Sequence, residues 1–452
     1  MLYSSPYNVV IPHGDEVLLF NTHSLQFGRL KASIYAEALE SIAILNSRTS
    51  KYPIEDKIKH VLFELRHRGF LVDNPAQERN TVVSRFDRQR SDRGHLGLTI
   101  APTDGCNFAC PYCYENLNYT YMSAETQRHV AEFIANSLNS GKYQSMHVTW
   151  YGGEPLMPKS LHAIEFLSER IGDACFKGNI CYSANIISNG YLLNRTVAER
   201  LAKWGITLAQ ITLDGPREQH NCTRVLKNGS GTFDRILENI TSCNDLLRFS
   251  IRMNVTTENA WSVAELKSLL REKGILDDPK RTTFYISPVR SYTSTCKSVN
   301  CMSNESFYRL QADMLRAGIN DDGFETVEEY PASKDSVCTA VNPGSFVIGP
   351  DGNLYKCWLD IGRRELAVGS IGQNQSSPNA NANKWMDYSP FKGTSCTYCS
   401  MLPICMGGCP ELNMRSADQD ENQACCNWKY CLDDHLLYVA SRENTMNAAK
   451  AD

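Results

Sequence analysis

Three cysteines stand close together in Thr103-Asp104-Gly105-Cys106-Asn107-Phe108-Ala109-Cys110-Pro111-Tyr112-Cys113, in the spacing CxxxCxxC. Three thiolates this close can hold three corners of an iron-sulfur cube, which leaves one iron open. A fully Cys-ligated cluster mostly shuttles electrons, whereas an open iron can chelate the amino and carboxylate groups of a small molecule. A zinc corner is the competing chemistry, but zinc pairs usually show CxxC and need a fourth ligand nearby. Downstream, Gly152-Gly153-Glu154-Pro155 joins two glycines, which permit close backbone approach, to a carboxylate that can accept from an ammonium.

The triad, with aromatic Tyr112 before its third cysteine, and the Gly152 to Pro155 run resemble the radical SAM superfamily. The resemblance implies that a 4Fe-4S cluster on Cys106, Cys110 and Cys113 binds S-adenosylmethionine and cleaves it to a 5'-deoxyadenosyl radical, which abstracts a hydrogen from the substrate. It implies that Tyr112, Gly152, Gly153 and Glu154 bind the cofactor, with Glu154 facing the methionine ammonium. Ser188, in Ser188-Asn189-Gly190, and Asp214, in Leu213-Asp214-Gly215-Pro216, would contact its ribose or methionine part, with Arg224 and Asn254 in support. Taken alone, Asn-Gly and Asp-Gly-Pro are also common turn formers.

Half of the 18 cysteines lie between Cys338 and Cys431. Cys338 is followed by thirteen residues, Gly352, four residues and Cys357; then come Cys396-x2-Cys399-x5-Cys405-x3-Cys409 and, after a gap, Cys425, Cys426 and Cys431. This spacing resembles the SPASM domain, which implies two auxiliary 4Fe-4S clusters and so three clusters in all. In the family's interleaved wiring Cys338, Cys357 and Cys409 hold the first. Cys396, Cys399, Cys405 and Cys425 hold the second, with Cys426 and Cys431 as rivals for its last place. Cys301, Cys296 or a substrate thiolate fills the fourth corner of the first. A zinc ribbon is the alternative for the block from Cys396 to Cys409.

Two SPASM subfamilies compete. In anaerobic sulfatase-maturating enzymes an Asp follows the cysteine matching Cys357 and acts as base; here Trp358 stands there, and the nearest carboxylate is Asp360. The run around Asp360 and the domain before residue 90 resemble the maturases of ribosomally synthesised peptides (sactipeptide, ranthipeptide and cyclophane types). That resemblance implies a thioether or carbon-carbon crosslink in a precursor peptide whose leader is held by an amino-terminal RiPP recognition element, a winged-helix fold. It also implies an electron donor such as flavodoxin or ferredoxin. A formylglycine-forming enzyme and a non-catalytic iron-sulfur or zinc protein are the alternatives.

The elements must place these groups. Residues 7 to 30 read as three short strands and residues 34 to 65 as two amphipathic helices, giving a winged-helix-like domain over 1–75. Residues 76–95 are polar and Arg-rich and read as a solvated linker. Over 96–320, strands at Leu96 to Ile100, Met146 to Tyr151, Ala184 to Ile187, Ile211 to Leu213, Phe249 to Val255 and Phe284 to Ile286 alternate with helices. An α/β parallel sheet follows, a partial (β/α)6 barrel in the radical SAM resemblance, with loops at the carboxyl strand ends carrying the chemistry. Residues 321–452 form the Cys-rich domain, in which 373 to 383 reads as a mobile excursion. A formal net charge of -4 offers no basic field for nucleic acid, and no apolar run approaches a membrane span. The expectation is a cytosolic chain in which cysteines ligate metal rather than form disulfides.

Overall fold

The computed structural model describes residues 1–47, 54–290, 292, 300–319, 330–336, 338–372, 379–392, 395–415 and 424–448. Short strand β1 (Tyr3–Ser4) leads into an antiparallel meander of β2 (Asn8–His13), β3 (Glu16–Asn21) and β4 (Gln26–Lys31). Helices Ala32–Ser47 and Asp56–His67 follow, then β5 (Leu71–Val72), which pairs with β1. Alternation along β3 sends Val17 and Leu19 toward those helices, against Ala38, Ile42, Ile58 and Leu62. Leu18 and Phe20 go the other way and pack with Trp428, Leu432 and Leu436 of the last helix, Trp428–Ala448. The central strand is therefore buried on both faces.

The Arg-rich stretch expected as a solvated linker is instead a helix, Pro75–Ser91. Asn74 caps it by accepting from the Ala76 and Gln77 amides, and Pro75 opens its first turn. Few apolar residues mark it, but Val82 and Phe86 are fully buried, and Phe86 meets Phe391 edge-on at 5.4 Å. Its arginines also bind: Arg90 donates to the Tyr388 carbonyl at 2.7 Å and Arg85 to the Pro403 carbonyl at 3.3 Å, both in the Cys-rich region.

Six parallel strands follow, β6 (His95–Ile100), β7 (Ser145–Trp150), β8 (Cys181–Ser188), β9 (Ile206–Thr212), β10 (Arg248–Val255) and β11 (Thr282–Pro288), in consecutive spatial order with helices between them. This α/β arrangement with a mostly parallel sheet is the expected fold class. The Cys-rich region does not stand apart from it. β12 (Ser345–Ile348) pairs parallel to β6, and β13 (Asn353–Tyr355) and β14 (Gly369–Ser370) extend the sheet antiparallel, giving nine strands. Residues 379–383, read as part of a mobile excursion, open the helix Ala380–Asp387, capped by Asn379 and anchored by buried Trp385; residues 373–378 lie outside the described residues. No described helix is long and apolar enough to cross a membrane.

Candidate active site

The loop after β6 is tied at its base by a bridge between Thr103 and Tyr121. Thr103 Oγ1 donates to the Thr120 carbonyl at 2.6 Å, and Asp104 Oδ1 accepts from the Thr120 amide at 2.6 Å. A second bridge, Phe108 to Leu226, and the Ala109 amide on the Val225 carbonyl at 3.0 Å fasten its far side. Within this closed loop Cys106, Cys110 and Cys113 all open onto one cavity at the carboxyl ends of the strands. Burial raises all three thiols above the ordinary range. Ligands buried in this way take up the charge of a metal centre on deprotonation, so the set fits an iron-sulfur cluster. Among the described residues no three Cys, His, Asp or Glu are gathered tightly enough for a single metal ion.

The Gly152 to Pro155 turn packs directly on this loop. Gly152 and Gly153 hold φ of +92° and +53°, and a Cβ on Gly153 would sit 2.2 Å from the Gly105 carbonyl oxygen. Only glycine fits both demands. The Gly153 amide faces the cavity wall and donates to Glu115, a carboxylate the sequence reading passed over.

Glu154 is tied into the protein around it. Its side chain is fully buried, with Oε1 accepting from the Leu156 amide at 2.9 Å and Ser188 Oγ at 2.8 Å, and Oε2 from the Asn189 amide at 2.7 Å. Burial raises it to about 7, with these donors and Arg224 opposing the shift. The carboxylate thus fixes the Ser188-Asn189 loop, and Gly153 is the part of the motif that lines the cavity. Ser188 and Asn189 line the cavity from that loop.

The other expected contacts gather around the Tyr112 hydroxyl. It donates to Asp214 Oδ2 and receives Arg224 Nη1 at 2.9 Å and Asn254 Nδ2 at 3.3 Å. Asp214, 1% exposed, also accepts from Thr223 Oγ1 at 3.1 Å, so its carboxylate braces the site from behind. Arg224 faces the cavity, and its buried Nε has no hydrogen-bond partner among the described residues, which suits an anionic group such as a methionine carboxylate. Neutral His220 braces this knot: the Asp214 amide donates to its Nδ1 at 3.2 Å, and its Nε2 meets Thr232 Oγ1 at 2.9 Å. Thr232 donates onward to the Arg224 carbonyl at 2.5 Å.

The sequence reading missed the rest of the cavity wall. Trp358 stacks on Tyr151 with centroids 4.7 Å apart, Tyr151 hydrogen-bonds Tyr114, and Tyr292 meets Tyr114 edge-on at 5.9 Å. Asp360, the carboxylate nearest Cys357 in sequence and a candidate base, is 3% exposed in the turn Trp358–Asp360, close enough to Cys357 to raise that thiol. It stands behind Trp358 in sequence, and Trp358 is the member of that turn that reaches the cavity.

Cys357 feels the charge of Cys338, and Cys338 that of Cys409. Cys399, Cys405 and Cys425 form a second such group, in which Lys429 Nζ donates to Cys425 Sγ at 3.5 Å. Tyr388 feels Cys396, Cys409 and Cys405, and so lies near cysteines of both groups. Cys426 hydrogen-bonds Cys405, which lowers the Cys405 thiol, and remains a rival to Cys425. Cys431 departs from both, bonding the Asn427 carbonyl inside the cluster of Trp428 and Leu432. Cys301 follows Asn300, whose carbonyl accepts from the Thr257 amide just past β10; Cys296 lies outside the described residues.

Residues 100–270 match the family model described as Radical SAM superfamily. The chain carries a radical SAM domain. That domain implies S-adenosylmethionine and a 4Fe-4S cluster as its cofactors. The chain is 24% identical over 355 residues to a cysteine-type anaerobic sulfatase-maturating enzyme of Clostridium novyi, a match spanning 70% of this chain and 87% of that protein. The solved structure of anSMEcpe with bound AdoMet and Cp18Cys peptide superposes with a TM-score of 0.57 at 20% identity, covering 79% of this chain and 99% of that one. The structure of Streptococcus suis SuiB bound to precursor peptide SuiA gives a TM-score of 0.53 at 14% identity and covers 92% of this chain and 97% of that one. Around the radical SAM domain, then, the fold is that of both neighbours.

Proposed function

We propose that this chain is a radical SAM peptide maturase that installs a thioether or carbon-carbon crosslink in a ribosomally synthesised precursor. The supporting observation is the amino-terminal unit: β2 to β4 with two helices, docked on the last helix of the chain. SuiB, whose structure was solved with a precursor peptide, shares its fold over 92% of this chain, against 79% for anSMEcpe. In the three-stranded sheet β4 has β3 as its one neighbour among the described residues, so its other edge suits an added leader strand.

Bound at the triad, the cluster and S-adenosylmethionine supply the radical that removes hydrogen from the substrate. The protein's own groups do the rest. Gly153 and Ser188 would border the cofactor and Arg224 would take its carboxylate, with Tyr112, itself held by Asp214 and Asn254, keeping Arg224 in place. Tyr114, Tyr151 and Trp358 exclude water from the reacting centre. The two C-terminal cysteine groups would hold auxiliary 4Fe-4S clusters that pass on the surplus electron, and flavodoxin or ferredoxin would supply the first one.

The relatives named as sulfatase-maturating enzymes support a second reading, formylglycine formation. Trp358 beside Cys357, and Asp360 set back from the cavity, count against it. The test is to incubate reconstituted protein and S-adenosylmethionine with a short precursor encoded beside the gene and, separately, with a Cys- or Ser-containing sulfatase peptide. Loss of two hydrogens from the precursor, slowed by excess free leader, is the expected result. Formylglycine on the sulfatase peptide, with the precursor unchanged, would reverse the choice.

A further inference from the structure

We propose that Arg252 anchors a carboxylate of the substrate, so that the peptide entering the barrel presents an acidic group beside the residue that reacts. This inference rests on the peptide reading above. Arg252 stands on β10 two residues before Asn254, and alternation puts both side chains on the same face of the strand, where both line the cavity. Its Nε donates to Asn254 Oδ1 at 2.8 Å and its Nη2 to Ser287 Oγ at 2.9 Å, with the Tyr285 hydroxyl alongside. Every one of these partners is neutral. No carboxylate among the described residues forms an ion pair with it.

A half-buried guanidinium without a counter-charge is costly to keep. Arg195, Arg217 and Arg316 all meet carboxylates even at the exposed surface. Arg252 is held by neutral groups at two of its nitrogens, which fixes the plane of the fork without neutralising it. That is the geometry a carboxylate recognises. Arg290 lines the same cavity, donating to the Tyr308 hydroxyl at 3.3 Å, and adds a second positive charge to that wall. The acidic side chain that lines the cavity, Glu115, is taken up by the Gly153 amide and by Tyr151. Aromatic neighbours Tyr114 and Tyr292 shield the site from water, which strengthens a charged contact.

The carboxylate could come from an Asp or Glu side chain or from a peptide carboxyl terminus, and an affinity selection separates these sources. Reconstituted full-length protein with S-adenosylmethionine is immobilised and offered two mass-coded random heptapeptide libraries, one ending in a free acid and one in an amide. Retained peptides are read by mass spectrometry. On the wild type, acidic peptides should be enriched about tenfold over their Asn and Gln counterparts. The enrichment should vanish in Arg252→Gln and be partly kept in Arg252→Lys, with iron content and melting temperature certifying that each variant is folded. Enrichment of Asp and Glu in both libraries assigns a side chain; preference confined to the free-acid library assigns a terminus. Retention without regard to charge, or enrichment that persists in Arg252→Gln, overturns the role of Arg252 alone. Failure to retain any peptide while S-adenosylmethionine is still cleaved overturns the peptide reading, and this inference with it.

Discussion

Glu154 shows how a motif residue can matter through the groups it holds inside the protein. Its two oxygens satisfy the Leu156 amide, the Asn189 amide and the Ser188 hydroxyl inside the protein. Removing the acceptor in Glu154→Ala strands three buried donors at a cost of about 1 to 3 kcal/mol each. The melting temperature should fall by several degrees, with Glu154→Gln, which restores one acceptor, in between. His220 carries a second prediction at this scale. Burial, with the Arg224 charge, holds it well below its ordinary value, and its Nδ1 accepts from the Asp214 amide, so protonation would set donor against donor. The unfolded chain therefore binds a proton that the folded chain refuses, and stability is lost as pH falls through about 6.5. Between pH 7 and 5 the wild type should lose more melting temperature than His220→Gln, which starts lower but cannot titrate there.

At the scale of elements, the six parallel strands were legible because each is a short apolar run between turn residues. Helix Pro75–Ser91 was not. Only Val82 and Phe86 face inward, too few for a period, while its capping signal, Asn74-Pro75, was overlooked beside so many arginines. Asn74→Ala should cost about 1 kcal/mol, read as a lower melting temperature and faster amide exchange at residues 76–78. In the site, the triad and the glycine turn were legible because their chemistry is local in sequence. Glu115, Arg252 and the stack of Tyr151 on Trp358 were not, since each acquires its meaning from a partner on another strand or in the C-terminal region.

For the whole molecule, the cysteine spacing marked a separate C-terminal unit, but spacing carries no record of packing. Ile11, Leu18 and Phe20 from the first strands share one apolar cluster with Leu432, Leu436 and Ala440 from the last helix. The ends of the chain are thereby fastened together. Leu436→Ala should destabilise the protein by about 2 to 5 kcal/mol, and hydrogen exchange should quicken in β2 and β3 as well as around the mutation. A change confined to the last helix would show that the amino-terminal unit is held some other way.

The parallel pairing of β6 with β12 has a consequence for synthesis. As the chain leaves the ribosome, β6 gains β7 on one side soon after it appears, but the other side must wait for residues 345–348. Through that interval the strand leading into Cys106, Cys110 and Cys113 presents an open edge, the feature that recruits stray strands from other chains. Contacts so distant in sequence also form slowly. Iron loading in the cell is thus bound to compete with edge-to-edge association of nascent chains, and slower translation or co-expressed holdase chaperones should raise the soluble yield.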